Sequence, residues 1–315
     1  MEIREIAPLA AAVCENIEKV IYGKHNEIEL IVTALLSGGH VLLDDIPGTG
    51  KTTLARALAK SIAGEVKRVQ FTPDLLPSDI TGINYFDQKE SRFIFRAGPV
   101  FTNILIADEI NRTTPRTQSA LLECMGERQT TVDGVTYPLA DPFFVIATQN
   151  PIESQGTFPL PEAQTDRFFM KLSLGYPDKK NELQMLDSHG GASPLEELTP
   201  VCRCADITAA RLAAAGVHTS PSVEDYIVRI VTETRENARI TLGVSPRGTL
   251  ALLRAARTCA AVAGRDYVLP DDVKRVAVPV LAHRIIARTQ NTVRVNDTNE
   301  KLIEFVLDTV KAPIE

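Results

Sequence analysis

HVLLDDIPGTGKTTLARALA, running from His40 to Ala59, joins an apolar run, a glycine-rich loop and a helical pattern without a break. Its first part, His40 to Asp44, is a short apolar run with the length of a buried strand. A glycine-rich loop follows, and a helical pattern then covers Thr52 to Ile62. The order is strand, loop, helix. Glycines let successive backbone N–H groups turn inward and cradle phosphate oxygens. The positive end of the following helix faces the same anion. In such a loop Lys51 reaches the β- and γ-phosphates of a nucleoside triphosphate, and the Thr52 hydroxyl holds Mg²⁺. Candidate nucleotide-binding residues are Pro47, Gly48, Thr49, Gly50, Lys51, Thr52 and Thr53. One departure from the pattern G-x-x-x-x-G-K-[ST] is Asp45, which stands where the first glycine usually does. Aspartate tolerates unusual backbone angles better than most residues, so the loop is expected to accept it there.

Three more short runs read as strands: Arg68 to Thr72, Asn103 to Ala107 and Phe143 to Thr148. Their alternation with helical sequence predicts a parallel sheet covered on both faces. The second run leads into Asp108 and Glu109. Unpaired charges do not stay inside a buried strand, so both carboxylates emerge at its C-terminal edge, where doubly wound sheets bind ligands. Asp108 fits a metal-binding role shared with Thr52. Glu109 is placed to polarise a water against the γ-phosphate. The third run ends at Asn150, which either meets the γ-phosphate or attacking water, or is a plain turn residue before Pro151. Between these runs, RQTTVDGVTYP (Arg128 to Pro138) carries Asp133-Gly134 between β-prone flanks and predicts a hairpin.

Upstream, Ile6, Leu9, Val13, Ile17 and Val20 mark one helix, and Glu27 to Ser37 a second. Downstream of Tyr176 the character changes. Residues 188–200 read as a linker, and from Asp206 onward the chain reads as helical, with Ser220-Pro221 and Ser245-Pro246 as helix starts and a break expected at Pro279. The expected division is an α/β nucleotide-binding domain over residues 1–176, a connecting segment over 177–205 and an all-helical domain over 206–315. Two arginines fit a phosphoryl-transfer site. Arg167 is a candidate to reach a neighbouring subunit's nucleotide; the alternative is a surface ion pair with Asp166. Arg247 is a candidate to reach from the helical domain onto its own chain's phosphates; the alternative is a solvated helix start.

Composition narrows the class. The 315 residues carry 34 Lys and Arg against 40 Asp and Glu, a net charge of −6. That argues against a dedicated nucleic-acid surface. No apolar run is long enough to span a bilayer, and the N-terminus lacks a signal-peptide pattern, so a cytoplasmic location is expected. Cys14, Cys124, Cys202, Cys204 and Cys259 form no disulfide framework.

Taken together, LLDDIPGTGKTTLARALA, RVQFTPDLLPSDITG, FRAGPVFTNILIADEINRTTPRTQSALLECMGERQTTVDG, FFVIATQNPIESQGTFPLPEAQTDRFFMKL and GVSPRGTLALLRAARTCAAVAGRDYVLPDDV resemble the MoxR family of AAA+ ATPases. The likeness spans roughly Ile17 to Ile286. It implies a P-loop AAA+ core with a parallel sheet, followed by a small all-helical lid. It implies ATP and Mg²⁺ as cofactors, with Lys51 and Thr52 as the Walker A pair and Asp108 and Glu109 as Walker B. Asn150 resembles sensor 1, Arg167 the arginine finger and Arg247 sensor 2. Tyr22 and Gly23 match the segment that lines the adenine pocket. The resemblance further implies a homo-oligomeric ring, commonly a hexamer. It implies chaperone-like work on partner proteins that often carry von Willebrand factor A domains, with no stable nucleic acid. The Asp133-Gly134 hairpin resembles the helix-2 insert of this clade. A nucleic-acid motor, a metal-chelatase motor subunit and a nucleotide-gated scaffold are the competing readings.

Overall fold

The computed structural model describes residues 1–46, 48–150, 156–188, 194–288 and 298–313. Helices α1 (Ile6–Glu18) and α2 (His25–Leu36) precede β1 (Val41–Asp44), which runs into the glycine loop and α3 (Lys51–Ser61). Then come β2 (Val66–Gln70), α4 (Pro77–Thr81), the hairpin β3 (Gly82–Asp87) and β4 (Arg92–Ala97), and β5 (Ile104–Asp108). Helix α5 (Pro115–Glu127) leads to a second hairpin, β6 (Gln129–Val132) and β7 (Val135–Pro138). After it follow β8 (Phe144–Gln149), α6 (Glu162–Thr165) and β9 (Met170–Leu172).

Five of these strands make one parallel sheet in the order β2-β5-β8-β1-β9. The central strands β5 and β8 are buried almost throughout, as their unbroken apolar runs require. Strand β2 starts and ends two residues earlier than its sequence predicts. It lies at the sheet edge, so it keeps Lys67, Arg68 and Gln70 at positions a central strand would fill with apolar side chains.

The helical part comprises α7 (Lys179–Ser188), α8 (Pro194–Glu197), α9 (Cys204–Ala214), α10 (Pro221–Glu236), α11 (Pro246–Val262), α12 (Pro270–Leu281) and α13 (Asn299–Thr309). A two-stranded pair, β10 (Ile240–Leu242) and β11 (Ile286–Ala287), joins it. Both serine caps form as expected: Ser220 Oγ accepts the Val223 N–H and Ser245 Oγ the Gly248 N–H, with proline in each first turn. Pro279 does not break α12; the helix carries it in its last turn and stops at Leu281. There the missing N–H removes only one ladder bond near an end already losing them. The expected linker holds the one-turn α8, while residues 189–193 lie outside the described part. The two domains share one apolar cluster: Ile17 of α1, Leu35 of α2 and Leu58 of α3 are buried with Ala256 of α11 and Val276 of α12.

Two hairpins stand beside the sheet where the sequence reading found one. The Asp133-Gly134 hairpin forms, with both turn residues at positive φ. The hairpin β3–β4 lies against it: Asn84 Nδ2 donates to Asp133 Oδ2 at 2.8 Å, and Phe95 stacks on Tyr137 with centroids 4.0 Å apart.

Candidate nucleotide site

The loop after β1 turns at Gly48 and Gly50, with φ of 86° and 85°. Gly48 has open space where a side chain would stand, so its conformation rather than crowding requires glycine. Pro47 lies outside the described residues. Lys51 opens α3 and donates its Nζ protons to the carbonyls of Asp45 at 2.8 Å and Ile46 at 3.1 Å. Partial burial pulls its pKa down, opposed by the carboxylates of Asp45, Asp108, Glu109 and Asp44. A phosphate oxygen entering the loop competes with those two carbonyls for the ammonium.

Asp45 has a different role from the one its sequence position suggests. It is not among the residues with positive φ. Asp45 is 4% exposed, and its side chain accepts three hydrogen bonds, from Ser173 Oγ at 2.8 Å, Leu174 N at 2.5 Å and Gly175 N at 3.0 Å. The carboxylate thus pins the phosphate loop to the segment leaving β9. Charge-assisted bonds of this kind are the strong ones.

Strand β5 delivers Asp108 and Glu109 to the same cleft. Glu109 adopts a left-handed conformation, φ 57° and ψ 49°. Thr148, at the end of β8, fixes both: its Oγ1 accepts the Glu109 N–H at 2.9 Å and donates to Asp108 Oδ1 at 3.3 Å. On the other side, β2 contributes Arg68, whose Nε donates to Asp108 Oδ2 at 2.5 Å, and Gln70, whose Nε2 donates to Glu109 Oε2 at 2.6 Å. Arg112 Nη1 donates to the same Glu109 oxygen at 3.0 Å. Sequence reading missed Thr148, Arg68 and Gln70. Thr148 and Gln70 carried a detectable signal, a polar residue at the C-terminal end of a sheet-forming run; Arg68, in the middle of β2, carried none.

The resulting cleft has a volume of about 390 Å³ and is lined by Gly48, Gly50, Lys51, Thr52, Thr53, Asp108, Glu109 and Asn150 together with Arg68, Gln70 and Thr148. The Thr52 hydroxyl and the Asp108 carboxylate are hard oxygen donors at one site, which suits Mg²⁺. Among the described residues no cluster of three His, Cys, Asp or Glu is built for a metal, so phosphate oxygens would have to complete its shell. Thr49 hydrogen-bonds back to the Ile46 carbonyl at 3.4 Å. Tyr22 and Gly23 do not line the cleft. Their segment lies beside the loop, with Ile21 facing Gly50 and Gly23 facing Asn181 of α7.

Arg167 and Arg247 come together, but elsewhere. Both line a second cleft of about 500 Å³ with Arg128, Arg254 and the Gly38–His40 turn. That turn enters β1, whereas the phosphate loop leaves it, so the two clefts lie at opposite ends of β1. Arg247 therefore does not reach its own chain's phosphate loop as expected. Nor does Arg167 pair with Asp166. That carboxylate is taken by Arg284 Nη1 at 2.5 Å and by Ser245 Oγ at 3.2 Å. Arg284, buried and bonded also to the Phe168 carbonyl, ties the helical domain to the residue next to Arg167.

A five-stranded parallel sheet, a glycine loop at the start of α3 and an acidic pair beside it define an ATPase of the AAA class. Comparison with known proteins agrees. A model of the ATPase family associated with various cellular activities (AAA) matches residues 40–170, and one of the AAA lid domain matches residues 232–304. YeaC of Bacillus subtilis is 47% identical over 311 residues, 99% of this chain and 97% of that one. Chaperone MoxR1 of Mycobacterium tuberculosis is 39% identical over 318 residues, 98% of this chain and 83% of that one. A crystal structure from Cytophaga hutchinsonii superposes with a TM-score of 0.91 at 38% identity, over 98% of this chain and 96% of that one. The chain belongs to the MoxR family of AAA+ ATPases.

Proposed function

We propose that this ATPase binds Mg-ATP in the cleft between Lys51 and Asp108 and uses its turnover to remodel partner proteins. The observation that carries the reading is the convergence of Lys51, Thr52, Asp108 and Glu109 on one cleft, from two strands adjacent to a third that orients them. Lys51 and the loop amides hold the β- and γ-phosphates. Thr52 and Asp108 hold the divalent cation, which neutralises phosphate charge when bound. Glu109 takes a proton from the attacking water, and Asn150 holds that water or the γ-phosphate from the next strand. Thr148 keeps the two carboxylates in register.

Arg167 and Arg247 act on a neighbouring copy's nucleotide, because both stand at the end of β1 away from their own phosphate loop. This requires a neighbouring copy, and the family resemblance favours a ring of six subunits. Chaperone-like action is supported by the relative named Chaperone MoxR1. A partner with a von Willebrand factor A domain follows from the family resemblance. No helix among the described residues is long and apolar enough to cross a membrane.

Glu109→Gln tests the reading. The side chain keeps its shape but cannot accept a proton, so ATP affinity stays within about twofold while turnover falls roughly 10²–10⁴-fold. Equal phosphate release from both proteins would refute the assignment.

A further inference from the structure

Strand β2 alternates its side chains, so Arg68 and Gln70 share a face. The register sets Gln70 beside Asp108 and Arg68 beside Ile106. The two side chains are linked, Arg68 Nη2 donating to Gln70 Oε1 at 3.2 Å. Arg68 Nε holds Asp108 Oδ2 at 2.5 Å. The exposures differ sharply: the Asp108 side chain is 9% exposed and that of Arg68 50%. A carboxylate that deep needs a counter-charge. Lys51 lines the same cleft, but its protons go to the carbonyls of Asp45 and Ile46. The cation in direct contact with it is Arg68, reaching in from the open edge of the sheet.

We propose that Arg68 is the placeholder for the divalent cation: it neutralises Asp108 while the metal is absent and gives up Asp108 Oδ2 when the metal arrives. This rests on the reading of Asp108 as a cation ligand. A guanidinium and a divalent ion repel each other at one carboxylate oxygen, so they occupy it in turn. The half-exposed Arg68 sits on an edge strand and can swing to solvent without opening the core. Its departure also frees the Gln70 amide oxygen, so metal arrival is felt at the side chain that holds Glu109. Arg68 is thus a positioning residue, and its contribution is confined to the metal-free state. Without it, metal-free nucleotide meets an uncompensated Asp108. With metal present, Asp108 is already neutralised.

The test is binding of a fluorescent, non-hydrolysable ATP analogue to the full chain, once in EDTA and once in saturating Mn²⁺. In Arg68→Gln, affinity in EDTA should fall about fivefold while affinity in Mn²⁺ stays within about twofold of the unmodified chain. Arg68→Lys keeps the charge and should stay near the unmodified chain in both, which separates charge from folding. Equal weakening in both conditions, or no change in either, would overturn the proposal. Asp108→Asn separates the two ideas. It should abolish the extra affinity that Mn²⁺ confers; if Mn²⁺ still helps as much, the reading of Asp108 fails, whatever Arg68 does.

Discussion

His40 enters β1 with both ring nitrogens engaged. Nδ1 accepts the Val145 N–H at 3.0 Å, so Nε2 carries the proton that goes to the Met125 carbonyl at 3.1 Å. Complete burial pushes its pKa down to about 4, against about 6.5 in an open chain. The folded state therefore binds fewer protons than the unfolded state between these values. The stability that neutral His40 supports is full above pH 6.5 and is lost as pH falls toward 4, up to about 3 kcal/mol. His40→Gln should flatten the dependence of Tm on pH across that window. Buried His283 shifts in the same direction and stays in the variant, so some slope persists. Parallel Tm profiles for the two proteins would show that His40 does not couple to pH. At this scale local spacing in the sequence singled out residues that line one cleft: Lys51 and Thr52 in the loop, Asp108 and Glu109 at a strand end. It hid Arg68, Thr148 and Arg284, because each acts on a residue at least 40 positions away or across the domain boundary.

Among the elements, the phosphate loop depends on a strand it does not follow. Asp45 leaves β1 and is held by Ser173, Leu174 and Gly175 after β9. Asp45→Asn keeps the size but loses the charge behind three bonds to a buried group. It should lower stability by about 1–3 kcal/mol, read as a drop in Tm, and weaken ATP binding through a loosened loop. Unchanged melting and affinity would show that the anchor is dispensable. The elements also show why one hairpin was legible and the other not. Asp133-Gly134 is a turn signal in its own right. The turn of β3–β4 has no glycine: Asp87 Oδ1 accepts from the backbone of Lys89 and Glu90, and Ser91 takes a positive φ of 50°. The strand β9 was missed because three residues carry no pattern.

For the whole molecule, the proposed assembly follows from the clefts at the two ends of β1. One holds the phosphate loop, the other the arginines Arg167 and Arg247. Head-to-tail packing of copies would bring them together, the arrangement that closes into rings. Arg167→Ala should lower turnover by about 10³-fold or more with little change in nucleotide affinity. Mixing it with Glu109→Gln protein should restore turnover, since each supplies the half the other lacks. No recovery at any mixing ratio would sink the shared site. The two-domain layout was legible from the change of periodicity after Tyr176. The position of the helical domain was not, since it depends on residues meeting from distant segments: Arg284, Asp166 and Ser245, and the apolar cluster the two domains share.

Every role proposed for the cleft depends on triphosphate binding by the loop at Lys51. Calorimetric titration of Mg-ATP into the unmodified chain and into Lys51→Ala tests it most directly. A saturable, one-site heat is expected for the former, and loss of that heat, or affinity at least about tenfold weaker, for the latter. Equal heats and equal affinities in the two proteins would contradict it.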